Sequence, residues 1–164
     1  MKPVRSLLAL ACLVGFAAPS LAQNCLQPSE RVALEVRSLQ NRLMVGALAC
    51  QQQDGYNAFV RRNQGDLNNA YRTAQSHFRS RGGEAAWNRV DTDIAASQAQ
   101  EQGRLGGFFC RDNATFLEQL ASVSGTADLA RFAVERNILQ PHEAPTCTGA
   151  SFGRPQRAAA APRR

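Results

Sequence analysis

The stretch "QPSERVALEVRSLQNRLMVGALACQQQ", Gln27–Gln53, decides how this chain folds. No proline follows Pro28, and Val32, Val36, Leu39, Leu43, Ala47 and Cys50 recur at spacings of three and four. That is the period of one helical stripe. Leu34, Val45 and Leu48 lie off the stripe, which predicts a helix buried on more than one side. Pro28 and Ser29 suit a first turn or cap. The spacing predicts one helix over 28–52.

A helix of that length separates two cysteines. Cys25 precedes it and Cys50 closes it. With a rise of about 1.5 Å per residue, the two stand on the order of 30 Å or more apart. A disulfide needs Cα atoms within about 7 Å. Cys25–Cys50 is therefore excluded, and with it Cys110–Cys147.

Working outward, the next segments are also helical. Asp54 can cap a second helix whose stripe runs through Tyr56, Phe59, Val60, Leu67, Ala70, Tyr71, Ala74 and Phe78, to about 80. Gly65 is the expected kink, with Asp66 as a fresh cap. Gly82 and Gly83 end it. Trp87, Val90 and Ile94 mark a third helix over 84–102, followed by a turn at Gly103, Gly106 and Gly107. A fourth covers 108–123, with Phe109, Phe116, Leu117 and Leu120 inward. Thr126 can cap a short fifth, 127–137, closed by Asn137 in a left-handed turn before Pro141. Strand signals and internal repeats are absent. The pattern predicts an all-α, disulfide-stapled up-down bundle of four main helices plus a short fifth helix.

Short connections make successive helices antiparallel. The first helix then ends where the fourth begins, so Cys50 meets Cys110, and Cys25 is left for Cys147. Spacings of 25, 60 and 37 residues between the four cysteines are far from the close spacing of a zinc site. No C-x-x-C redox or haem motif occurs, and no metal or cofactor is expected.

The ends read differently. Lys2 and Arg5, the apolar run Leu7–Ala18, Pro19 and the small residues Ser20 and Ala22 have the layout of a secretory signal, residues 1–22. The run is too short for a membrane span, and no span is expected after signal removal. An even count of cysteines in the remaining chain agrees with export to an oxidising compartment, periplasmic or secreted. Residues 23–150 form one predicted domain. Residues 151–164, rich in Ala, Pro and Arg, read as a disordered tail.

The formal charge of +6 misleads. Lys2 and Arg5 belong to the signal, and Arg154, Arg157, Arg163 and Arg164 to the tail. The other 13 of the 18 arginines face all 13 acids. A near-neutral domain lacks the basic stripe of a nucleic-acid binder, so no nucleic acid is expected.

Candidates for chemistry are few. Asp91 and Asp93 are two apart and do not share a helix face. Glu101 and Asp91 are the acids a cell-wall hydrolase would use. His77 and His142 lack a neighbouring nucleophile or ligand pattern. The aromatic residues read first as core, with Tyr71 and Trp87 at a rim because each keeps a polar atom. The sequon at Asn113 falls within a helix. The tail arginines could meet an anionic polymer or lipid. The possible binding surface is Tyr56, Phe59 and Arg62.

"YNAFV" after a helix ending in "LACQQQ", and "GFFC" opening a late helix, resemble an uncharacterised class of small exported four-cysteine helical proteins of Gram-negative bacteria. The resemblance implies the helical, disulfide-bonded fold over 25–147 and carries no activity, cofactor or catalytic residue. The sequence therefore predicts a non-enzymatic binding or structural component of the cell envelope, whose partner is an envelope protein or polymer.

Overall fold

The computed structural model describes residues 25–142 and 144–147. The predicted signal at 1–22 and tail at 151–164 lie outside them. The described chain is all-α, with five helices. These are α1 (Pro28–Cys50), α2 (Gln53–Arg62), α3 (Gln64–Leu105), α4 (Gly107–Gln119) and α5 (Thr126–Glu135). A single 3₁₀ turn, Leu120–Ser122, extends α4.

The central strut is α1, which packs against every other helix. Pro28 starts it, and the Glu30 carboxylate accepts the Gln27 N–H at 2.7 Å. Its stripe of Val36, Leu39, Leu43 and Ala47 is buried, and so is Leu34 off the stripe. Gln51 closes it in the left-handed region (φ 57°), with the Gln52 N–H reaching back to Ala47 O at 3.0 Å. That is the geometry of a Schellman cap, here built on a residue that carries a side chain.

The second predicted helix is divided at Asn63, not at Gly65. Asn63 leaves helical geometry (φ −105°, ψ 19°) and is buried, and its Nδ2 donates to Phe59 O at 3.1 Å. This side-chain bond competes with the backbone ladder and ends α2. Gly65, with open space around it, stays helical inside α3.

Further on, α3 breaks where the glycines predict. Gly83 adopts φ 66°, ψ −165°, a region essentially reserved for glycine. Two limbs result, 64–81 and 84–105. The second limb carries Trp87, Val90 and Ile94 into the core and runs past the predicted end at 102 to Leu105.

The turn before α5 differs from expectation. Thr126 is the first residue of α5 and does not cap it. Asp66 on α3 accepts the Gly125 N–H at 3.1 Å and the Thr126 hydroxyl at 3.0 Å, a cap supplied from another helix. At the other end of α5, Asn137 (φ 51°) forms a second Schellman turn. The Ile138 N–H bonds Ala133 O at 2.9 Å, and Ile138 is buried.

Two disulfides staple the ends of α1. Cys50–Cys110 joins its C-terminus to the first turn of α4, with Cα atoms 5.5 Å apart. Cys25–Cys147 joins the segment before α1 to the last described residue, at 4.9 Å. Beside the second bridge, Leu26 and Thr146 form an isolated parallel β-bridge, and the Arg31 guanidinium donates to Ala144 O. One hydrophobic cluster runs through α1, α2, α3 and α5, and Phe116 and Leu117 of α4 pack against it.

Candidate functional site

The C-terminal end of α1 collects the least ordinary chemistry. From the Cys50–Cys110 bridge a polar chain runs inward. Gln52 Nε2 donates to Cys110 O at 2.9 Å, and Asn113 Nδ2 donates to Gln52 Oε1 at 2.8 Å. Asn113 is fully buried and lies against the bare Cα of Gly46. The sequon at Asn113 therefore points into the protein.

One turn further in sits Arg42, with 4% of its surface exposed. Its guanidinium carbon lies 3.1 Å from the Phe109 ring centroid and 5.6 Å from that of Phe116. Nη2 donates weakly to Phe109 O at 3.4 Å, and Nη1 is buried without a hydrogen-bond partner. Burial pushes its pKa down from the usual guanidinium range to about 10, against the pull of the Asp112 and Glu101 carboxylates. The cation is retained at neutral pH, held by ring faces and not by a salt bridge. Glu35, Ser38 and Asn41 are buried on the same helix. Sequence reasoning did not single out Glu35, Ser38 or Arg42, because an apolar period does not show which polar residues the neighbouring helices cover.

The same end exposes two large apolar side chains. Leu48 is 69% and Phe108 65% exposed, the highest values among the described large hydrophobics. Leu48 precedes Cys50 by two residues and Phe108 precedes Cys110 by two. The bridge therefore fixes both within a turn of itself. The Arg111 guanidinium stands 4.3 Å from the Phe108 ring. Leu48 lies off the apolar stripe of α1, and Phe108 lies off the predicted inward face of the fourth helix, which Phe109, Phe116, Leu117 and Leu120 make; those were the available signals.

The predicted surface of Tyr56, Phe59 and Arg62 is not an open face. Phe59 is 1% exposed and belongs to the core, because α2 lays its stripe between α1 and α4. Tyr56 is half-buried against that core. Arg62 is exposed, but its Nη2 donates to Leu120 O at 2.9 Å. Together with Asp66 it fixes the segment leading into α5. That segment borders a shallow recess of about 220 Å³ lined by Ser122, Ser124, Asp128, Arg131, Phe132 and Glu135. Within it Arg131 pairs with Asp128 at 2.8 Å and Glu135 at 3.9 Å, so one guanidinium faces two carboxylates.

The other candidates are drawn apart. Asp91 pairs with Arg37 at 2.6 Å, whereas Asp93 Oδ2 lies 4.0 Å from His142 Nε2. Glu101 accepts two bonds from Arg104, at 2.9 and 2.5 Å. Both of its carboxylate oxygens are thereby engaged by one guanidinium. His77 Nδ1 lies 2.7 Å from Glu30 Oε2 and 2.8 Å from Arg81 Nη1. Trp87 is no rim residue. It is 2% exposed, packed edge-on against Tyr71 at 5.2 Å, with its N–H directed to the Tyr71 hydroxyl at 3.4 Å. Only Tyr71 of that pair reaches solvent.

Among the described residues, no group of three or more His, Cys, Asp or Glu side chains could hold a metal ion. No described helix is long and apolar enough to cross a membrane. Two disulfides together with that fact are compatible with a protein outside the cytoplasm. The chain matches no family model, no curated protein and no solved structure.

Proposed function

We propose that this chain is an exported, non-enzymatic helical domain of the cell envelope, periplasmic or secreted, that works by binding another protein. The observation that carries the reading is two exposed apolar side chains, Leu48 and Phe108, each two residues from a cysteine of the Cys50–Cys110 bridge. Anchoring them on two cross-linked helices lowers the entropy lost on binding. Phe108 with Arg111 stacked on its face is the kind of aromatic–arginine pair enriched in interface hot spots. The partner that fits is a protein surface with an apolar pocket and an acidic rim.

The hydrolase alternative draws no support from its two acids, since Asp91 and Glu101 are each tied to an arginine. The tail alternative concerns residues outside those described.

The test is a pull-down from envelope extract with the disulfide-bonded protein as bait. The wild type should retain a specific protein, and a Leu48→Ser/Phe108→Ser variant should lose it without losing stability. Retention of nothing by the wild type, or of the same protein by both forms, would overturn the reading.

A further inference from the structure

At the opposite end of α1, the His142 side chain reaches both sides of the break in α3. Gly82 and Gly83 leave helical geometry and carry no side chains, so the two limbs of α3 meet at an elbow spanned by contacts between the limbs, Arg79–Glu84 and Tyr71–Trp87 among them. Phe78 precedes the elbow; Trp87, Val90 and Asp93 follow it. The His142 ring touches both sides. Its centroid is 5.7 Å from that of Phe78 on the first limb. On the second limb it hydrogen-bonds the Val90 backbone, and its Nε2 lies 4.0 Å from Asp93 Oδ2.

The backbone of His142 is held in place. Gln140 Oε1 accepts the His142 N–H at 2.6 Å, and Gln140 Nε2 donates to His142 O at 2.6 Å. Gln98 on the second limb donates to Leu139 O at 2.5 Å, and Ile138 is seated in the core. The ring is thus a wedge delivered from outside into the angle of α3.

We propose that His142 is an acid-sensitive wedge that keeps the elbow of α3 closed, and that protonating its ring loosens the two limbs.

The chemistry follows from what surrounds the ring. In the neutral form one nitrogen bonds Val90, while Nε2 is buried without a hydrogen-bond partner. Adding a proton there creates a donor that needs an acceptor. Asp93 at 4.0 Å is beyond hydrogen-bond range. The ring must swing off Phe78 to reach Asp93 or water. Burial accordingly holds its pKa below the usual 6.5, with Asp93 and Val90 opposing. A base with a depressed folded pKa adds stability that is complete above its unfolded value and is lost as pH falls through the folded one.

Other charged groups near the elbow are already paired. On the first limb His77 packs edge-on against Phe78 at 4.8 Å, with Glu30 and Arg81 at its Nδ1. Arg79 pairs with Glu84 across the break on the solvent side. Hinges are the places where a few residues absorb a change in φ and ψ, and Gly82–Gly83 is built for that.

Trp87 is the only tryptophan, and its ring lies 6.5 Å from that of Phe78, so it reports on the elbow. The experiment follows its fluorescence, together with amide hydrogen exchange over 79–92, from about pH 7.5 to about pH 5, the range in which histidine titrates. Imidazole NMR signals assign the midpoint. Exchange in 79–92, corrected for intrinsic rates, should rise by more than about twofold relative to α5, with the Trp87 change tracking His142. His142→Gln, neutral throughout, should abolish the step, and His77→Gln should keep it. The proposal fails if the wild type shows no differential change. It fails equally if the step persists in His142→Gln or vanishes in His77→Gln.

Discussion

The Asn113 carboxamide of α4 packs against the bare Cα of Gly46 of α1, so α1 contributes no side chain of its own at that contact. A Cβ at position 46 would fall on the Asn113 carboxamide. Neither helix can slide away, because Cys50–Cys110 locks them one turn further on. Gly46→Ala is therefore expected to destabilise the fold by about 2–4 kcal/mol, despite the better helix propensity of alanine. Urea unfolding measures it. Adding Asn113→Ala should recover part of the loss, as coupled neighbours do. Equal stability of Gly46→Ala and wild type would contradict the close approach.

Arg42→Met should raise stability. The wild-type residue is a buried cation with one N–H lacking an acceptor and no salt bridge among the described contacts. Replacing such a charge with an apolar side chain of similar volume is often stabilising, by about 1–3 kcal/mol. Methionine can also keep contact with the Phe109 ring. The folded pKa near 10 sets the pH dependence. Because it is depressed from the usual guanidinium range, the cost of the charge is complete below about pH 10 and shrinks only above it. The gain of Arg42→Met should thus be constant from about pH 6 to about pH 8. Calorimetry that finds a loss would mean that the ring contacts outweigh desolvation.

How much of this was legible follows from what each feature depends on. The long apolar period of α1 is local, and its length alone excluded a Cys25–Cys50 pairing. Gly82–Gly83 and Asn137 are also local, since both satisfy a backbone geometry that few residues accept. Phe59 and Trp87 fall on the predicted apolar stripes and are buried there, so the period outweighs their reading as surface or rim residues. Arg42 is another matter. Its burial depends on which helix covers its side of α1, and neither period nor composition records that. Asp66 shows the same limit. The sequence marks it as a cap, yet it caps the turn before α5 and not its own helix. The break at Asn63 was hidden because it rests on a side-chain bond to Phe59 O, whereas Gly65, two residues on, has the backbone freedom that ordinarily marks a kink.

Gln51→Gly should stabilise the protein modestly. Gln51 sits at φ 57°, where a Cβ costs roughly 1 kcal/mol that glycine avoids. Part of that gain is offset by the greater freedom of glycine in the unfolded chain. The expected net effect is about 0.5 kcal/mol, read as a small rise in Tm. Its neighbour Gln52 bonds Cys110 and Asn113 through its side chain, so Gln52→Gly should destabilise instead. The opposite signs at adjacent glutamines test the cap and the polar chain together.

Removing the two disulfides separately should divide stability from binding. Cys25–Cys147 closes a separation of 122 residues and Cys50–Cys110 one of 60. Loop entropy then makes the first bridge worth more by only about 0.6 kcal/mol, out of a total near 4 kcal/mol for each. Cys25→Ala/Cys147→Ala should lower Tm while leaving Leu48 and Phe108 in place, so partner retention survives below the new Tm. Cys50→Ala/Cys110→Ala should lower Tm by a similar amount and weaken retention as well, because α1 and α4 are then held at this end by non-covalent contacts such as Gly46–Asn113 and the Gln52 hydrogen bonds, without the covalent tie. Comparing both variants at a temperature where each is still folded isolates that difference. Equal retention by the two would detach the binding surface from the Cys50–Cys110 end and return attention to the recess beside α5.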